Sequence, residues 1–360
     1  MSTLQDRPQT RFSAASIRPA TEPPELRGSG SRRPARDGVR LLVGQPRGLD
    51  HLRFRELGDV LVPGDLLVIN NSATVAGQLD GRREDQSPVV VHLANRLADG
   101  RRVVELRTAP NAANPTLDGR AGETIELPAG ATVTLLEPYP EVGSSPTGVG
   151  NRLWRAAVHT PVPLAGYLDR QARPISYGHL GRSFPLDRYQ TVFSLRPGSA
   201  EMPSAGRPFS TGLVTRLVAA GIQFAPITLH TTVSSPEAGE APLPEWYAVP
   251  EATARMINTA RARHRRVIAV GTTATRAVES AADPDGTVRP RMGWTDLVIG
   301  PARPVRVVSG LISGWHEPEV SHLLLVEAVA GPDLTQRAYD AAIEQGYLWH
   351  EFGDATLLLP

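Results

Sequence analysis

An α/β fold is what this sequence predicts: one large α/β domain, its sheet flanked by helices, with a small antiparallel β-barrel inserted. Three observations lead there. Val267, Ile268, Ala269 and Val270 form a short unbroken apolar run, as a parallel strand covered on both faces does. Strand-like and helix-like patterns alternate from Arg188 onwards. Between residues 77 and 160 that alternation is missing, and short β-rich runs follow one another through Gly, Pro and Asn-Ala turns.

Taken in order, residues 1–37 mix Pro, Gly, Ser and Arg without periodicity and read as a mobile or loosely draped tail. The α/β domain is expected over 38–76 and 161–360, with the barrel over 77–160. Its first strand lies near 39–43. Phe54, Leu57, Val60 and Leu61 follow, then a Pro63-Gly64 turn and a buried strand from Leu66 to Ile69, with Asn70 and Asn71 at its polar end. The barrel strands are expected at 89–91, 103–106, 124–127 and 132–136, with a surface loop at 143–150. Beyond Arg188, Leu213, Val214, Leu217 and Val218 make a helical stripe closed by Gly221, and 222–229 is the next strand. A helix at 250–264 leads into the Val267 strand. Further strands are expected at 297–299, 305–312 and 357–359, and helices at 319–330 and 333–345.

The strand at Val267 turns sharply at Gly271 into a helix that Thr272 or Thr273 can cap, with Arg276 on its first turns. Such a turn aims backbone N–H groups at one volume at the carboxyl end of a sheet. It is either a ligand site or an ordinary β-turn-α unit.

Composition narrows the chemistry. There are 360 residues, 41% hydrophobic but only 5% aromatic, so the core is mostly aliphatic. Absence of cysteine excludes disulfides, thiolate metal sites and a cysteine nucleophile. All 38 basic residues are arginine, which excludes a P-loop and any lysine base or Schiff base. No G-x-G-x-x-G or G-x-S-x-G string occurs, against a Rossmann methyltransferase and a serine hydrolase. Net charge is +1, and beyond Arg261, Arg263, Arg265 and Arg266 there is no run of basic residues to support a non-catalytic RNA-binding module. Arginines interrupt the first twenty residues and no apolar run is long enough for a bilayer, so a cytoplasmic protein is expected.

Eight strings then fall in a familiar order: GDLLVINNS at 64–72, DRYQTVFS at 187–194, PGSAEMPSAGRPF at 197–209 and ITLH at 227–230; RVIAVGTTATRAVESA at 266–281, GWTDLVIGP at 293–301, GLISGWHEP at 310–318 and AYDAAIEQGYLWHEFGDATLLL at 338–359. Together they resemble the S-adenosylmethionine:tRNA ribosyltransferase-isomerases of queuosine biosynthesis. The resemblance implies an α/β domain with an inserted barrel, S-adenosylmethionine as co-substrate, tRNA as partner, and no metal or other cofactor. It implies transfer and rearrangement of a ribosyl group onto the aminomethyl group of a 7-deazaguanine base, giving epoxyqueuosine, adenine and methionine. Departures at Ala73, Gln78, Arg207-Pro208, Glu245-Trp246 and Gly314-Trp315 leave a paralogue with a different, small-molecule acceptor as the alternative.

That chemistry asks for a base and for support of a sulfonium. His230 and His316 are candidate bases, with Glu245 and Asp296 as alternatives, because imidazole titrates near neutrality. Tyr189, Trp246 and Trp294 suit adenine stacking or a face turned to the sulfonium. Arg276 suits a carboxylate or phosphate, and an ion pair with Glu279 is its structural alternative. Asn70, Asn71, Gln190, Thr191, Gly271, Thr272, Thr273, Thr295 and Asp354 complete the expected binding residues.

Overall fold

The computed structural model describes residues 6–27, 35–141, 149–176, 179–180, 182–233, 241–318 and 320–360. At its centre four parallel strands, Gln223–Leu229, Leu66–Asn70, Val267–Val270 and Gly310–Ser313, lie side by side. All residues of the Leu66–Asn70 and Val267–Val270 strands are buried, which explains why they read as continuous apolar runs. The sheet extends on one side through Ala355–Leu358 to the hairpin Arg40–Gln45 and Gly48–Arg53. On the other side it adds two antiparallel strands, Glu245–Val249 and Arg291–Thr295, for nine strands in all.

One face is covered by the helices Glu251–Ala262, Thr272–Ser280, Ser321–Ala330 and Pro332–Glu344, whose apolar stripes meet Val68, Ile227, Ala269 and Leu311. The helix Thr211–Ala219 and the 3-10 turn Phe54–Asp59 cover the other through Leu213, Leu217, Phe54 and Leu57. Two-sided cover of this kind forces the parallel core.

The chain leaves the sheet after Asn70 and builds a closed six-stranded antiparallel barrel in the order Ala131–Pro138, Leu153–His159, Arg102–Thr108, Pro88–Arg96, Gln78–Arg82, Thr124–Leu127. Its interior is aliphatic, with Val91, Val104, Ile125 and Val133 fully enclosed.

The structure departs from the sequence reading at several points. Gln78–Arg82 and Leu153–His159 are strands that no apolar run announced, because Leu79 is the only large apolar residue of the first. The edge strand lies at Arg291–Thr295 rather than 297–299; an edge needs no continuous apolar pattern. Within 305–312 only Gly310–Ser313 is strand, since the amides of Arg306, Val307 and Val308 bond to the Glu279 carboxylate. Residues 6–27 are not a loose tail: Gln9 and Thr10 bond to Glu327, Phe12 packs on Tyr339 and Trp349, and Arg18–Pro19 pairs with Leu348–Trp349. Residues 1–5 and 28–34 of that segment, and 142–148 of the expected loop at 143–150, lie outside the described residues.

Candidate active site

The carboxyl ends of three central strands open into one cavity of about 260 Å³. Thr231–Val233 follow the first of these strands, Gly271–Thr273 the second, and Ser313–His316 the third. Tyr189, the 200–205 loop, Leu297–Ile299, the start of the Ser321–Ala330 helix and the His350-Glu351 turn complete the wall. It is the position where open α/β sheets bind ligands.

Gly271 makes the strand-to-helix turn at φ 96°, a left-handed conformation open to glycine, and a Cβ there would stand 3.3 Å from that of Ala205. It, rather than Thr272 or Thr273, is the N-cap, and no side chain caps the helix. The first-turn amides of a nine-residue helix are therefore left without a side-chain acceptor, and Gly271, Thr272 and Thr273 all border the cavity.

Arg276 also borders it, but its guanidinium is engaged by the protein. It donates to the carbonyls of Leu297 (2.9 Å), Leu243 (2.9 Å) and Thr295 (3.1 Å) and to Glu245 Oε2 (2.8 Å). Glu245 also accepts from the amide of Thr232, and burial pushes its carboxyl up against the pull of Arg276. Glu279 is not the partner of Arg276; it binds the 306–308 amides and Arg303.

Four of the nine histidines line the cavity: His179, His316, His322 and His350. The rings of His316 and His322 stack at 5.1 Å, and those of His179 and His350 at 4.5 Å. His316 Nε2 lies 2.8 Å from Ser313 Oγ, and His179 Nε2 lies 3.0 Å from Glu351 Oε2. Burial, then the neighbouring His322 and His350, holds His316 well below the ordinary imidazole value. Burial, then Arg276, brings His322 to about 4; burial, then His179, lowers His350. Each shift favours the neutral imidazole.

Three side chains of the wall carry a buried polar atom with no partner among the described residues: Tyr189 Oη, Trp315 Nε1 and Ser321 Oγ. Native interiors rarely leave such groups unpaired, and these three belong to residues of the cavity wall.

The other expected residues lie outside the wall. Asn70 bonds to the backbone of Leu229 and Ser72, Asn71 to Thr228, Gln190 to the backbone of Thr74, and Thr191 to Ser194. Asp354 holds Arg40 and the amide of Leu348, and Thr295 bonds to Ser280. Asp296 is exposed. His230, bonded to Ser72 Oγ at 2.7 Å, follows the Gln223–Leu229 strand, and Trp294 lies on the edge strand Arg291–Thr295. Gln78 and Arg207, two of the departures from the family strings, are buried and bonded within the protein, to His92 and Ser176 and to Glu25. Sequence reasoning missed His179, His322, His350, Glu351, Trp315 and Ser321 as wall residues. His322 hides in an apolar helix, and His350 and Glu351 stand in a string quoted only for its spelling.

A family model described as "Queuosine biosynthesis protein" matches residues 19–358. An S-adenosylmethionine:tRNA ribosyltransferase-isomerase of Symbiobacterium thermophilum is 36% identical over 335 residues, covering 90% of this chain and 94% of the relative. One of Gloeobacter violaceus is 34% identical over 337 residues, covering 90% of each. A crystal structure of S-adenosylmethionine tRNA ribosyltransferase from Thermotoga maritima aligns with a TM-score of 0.47 at 27% identity, over 96% of this chain and 100% of that one. The family model spans the strands and turns that build the cavity as well as the barrel, and with relatives 34–36% identical over 90% of it the chain belongs to the S-adenosylmethionine:tRNA ribosyltransferase-isomerase family.

Proposed function

We propose that this chain transfers and isomerises the ribosyl group of S-adenosylmethionine onto the aminomethyl-7-deazaguanine base of tRNA, forming epoxyqueuosine and releasing adenine and methionine. The observation that carries the reading to this site is a cavity at the carboxyl ends of the central strands whose wall includes Tyr189, Trp315 and Ser321, residues whose buried polar atoms have no partner among the described residues. A nucleoside offers hydroxyls and ring nitrogens to such groups.

In net terms the amine nitrogen bonds to the ribosyl carbon skeleton and that skeleton closes one new carbon–carbon bond, while the glycosidic bond to adenine, the carbon–sulfur bond to methionine and one carbon–hydrogen bond break. The amine and that carbon each give up a proton, one of which leaves with adenine. The sulfonium leaves as a neutral thioether, so positive charge is lost at sulfur. Carboxylates support the charge before departure, and Glu317 and Glu351 stand in the wall for that role. The substrate carboxylate belongs at the uncapped amides around Thr272 and Thr273, because Arg276 has its donors engaged. His350 is the candidate base, since burial lowers it less far than it lowers His316 and His322, which serve better as neutral hydrogen-bond partners of the substrate. Glu245 acts through Arg276, which it holds in place.

The test is incubation of the purified protein with S-adenosylmethionine, with and without tRNA carrying the aminomethyl-deazaguanine base, followed by mass spectrometry. Adenine and methionine released only with that tRNA is the expected result. Release with a free base but not with tRNA would instead select the small-molecule acceptor.

A further inference from the structure

The five tryptophans divide by position. Trp154, Trp315 and Trp349 are buried, at 2%, 3% and 1% exposure. Trp246 and Trp294 are less buried, and they are register partners on the neighbouring strands Glu245–Val249 and Arg291–Thr295. Trp294 is 38% exposed, and Met292, two residues before it on the same face, is 75% exposed. The His230 ring stacks on Trp246 at 5.1 Å and 20°. Its seat is built: Ser72 Oγ holds Nδ1, and a Cβ on Gly198 would stand 2.5 Å from Cε1. His230, just past the Gln223–Leu229 strand, and the register partners Trp246 and Trp294 on the next two strands thus lie along one side of the sheet.

This row of rings starts at the cavity wall. Thr231 and Thr232 border the cavity immediately after His230, and Glu245 borders it immediately before Trp246. Side chains alternate along a strand, so Glu245 points into the site and Trp246 points away from it. Arg196 is exposed at the His230 end, makes no ion pair among the described residues, and lies close enough to help lower the imidazole pKa. Its amide and that of Leu195 bond to Asn71 O, which fixes this segment beside the row.

We propose that His230, Trp246 and Trp294 form a stacking platform for unpaired nucleotides adjoining the reacting base of the tRNA, with Arg196 on a neighbouring phosphate. The inference rests on the reading of tRNA as acceptor. An enzyme that does chemistry on a base takes it out of the stack, which leaves its neighbours unstacked as well. Half-exposed aromatic faces beside a free arginine recover that lost stacking and the phosphate charge, without demanding a particular base. A second copy of the chain would call for a broader aliphatic surface, with fewer charges at its centre, than this strip of rings provides.

The experiment has two readouts on wild type, Trp294→Ala, Trp294→Phe and Arg196→Gln. Titration with a short single-stranded oligoadenylate should quench tryptophan fluorescence in wild type. Trp294→Ala should weaken that binding on the order of tenfold, and Trp294→Phe should recover most of it. In turnover, Trp294→Ala should raise KM for tRNA by a similar factor while leaving KM for S-adenosylmethionine unchanged. Arg196→Gln should lower the salt slope of RNA binding by about one. Because Trp294 is an edge residue, circular dichroism of each variant should match wild type. A wild-type enzyme that turns over tRNA with the same KM as Trp294→Ala overturns the platform and leaves the functional reading standing. No adenine release from wild type with tRNA overturns the functional reading, and oligoadenylate binding that ignores Trp294 then overturns the platform too. Self-association of wild type that Trp294→Ala abolishes, at unchanged RNA affinity, would reassign the face to a subunit contact.

Discussion

Arg276 shows how a residue at a ligand cavity can serve the protein first. Its hydrogen bonds among the described residues all go to acceptors of the protein, and its ion pair with Glu245 spans the wall between the Thr272–Ser280 helix and the Glu245–Val249 strand. Removing one member of a buried pair leaves the other charge uncompensated, at a cost of about 3–5 kcal/mol. Arg276→Ala should therefore lose activity and melt well below wild type. Glu245→Ala should do the same, and the double variant should be less impaired than the sum. Normal melting of Arg276→Ala would show that the pair carries no stability. Histidines of the same wall set a pH dependence. With His322 brought from 6.5 to about 4, the unfolded chain takes up a proton that the folded ring refuses. Stability is then complete above about pH 6.5 and falls as pH drops toward 4, by roughly 3 kcal/mol for this ring alone. His316 and His350 act in the same direction. Melting temperatures measured from pH 7.5 to 5 should fall, and His322→Asn should flatten the curve; an identical slope in that variant would remove His322 from the account.

At the scale of elements, the turn from Val267–Val270 into Thr272–Ser280 couples backbone conformation to binding. Gly271→Ala forces a side chain into φ 96° and puts its Cβ at 3.3 Å from Ala205. The variant should lose on the order of 1–2 kcal/mol of stability and raise KM for S-adenosylmethionine, because the amides of the first turn shift with it. Unchanged KM in a folded Gly271→Ala protein would separate this turn from the substrate. The same unit explains what sequence could reveal. A strand buried on both faces must be apolar throughout, so Leu66–Asn70 and Val267–Val270 were plain, and so were helices that cover the sheet with a single stripe. Gln78–Arg82 and Arg291–Thr295 satisfy barrel closure and sheet-edge pairing with little apolar content, and that leaves no periodic trace. The Gly271 turn was legible as local chemistry. His350 and Ser321 reach the wall only through long-range packing, which no spacing along the chain encodes.

The whole molecule is tied together at that cavity. Its wall draws on Tyr189 before the Thr211–Ala219 helix, Gly271 in the sheet centre, Ser321 on a covering helix and His350 near the last strand. A ligand there touches segments from across the α/β domain and binds only when they are assembled. S-adenosylmethionine at a hundred times its Kd should therefore add about 2.7 kcal/mol of stability, read as a rise of a few degrees in Tm. The unpartnered groups allow this to be assigned to the cavity itself. Ser321 Oγ has no hydrogen bond to lose among the described residues, so Ser321→Ala should leave the Tm without ligand close to wild type. The ligand-induced rise should nevertheless shrink, because under the proposed function the substrate bonds to that hydroxyl. Differential scanning calorimetry of both proteins, with and without millimolar S-adenosylmethionine, measures the two quantities together. An equal rise in both proteins would place the ligand away from Ser321, and no rise in wild type would reject this cavity as the S-adenosylmethionine site.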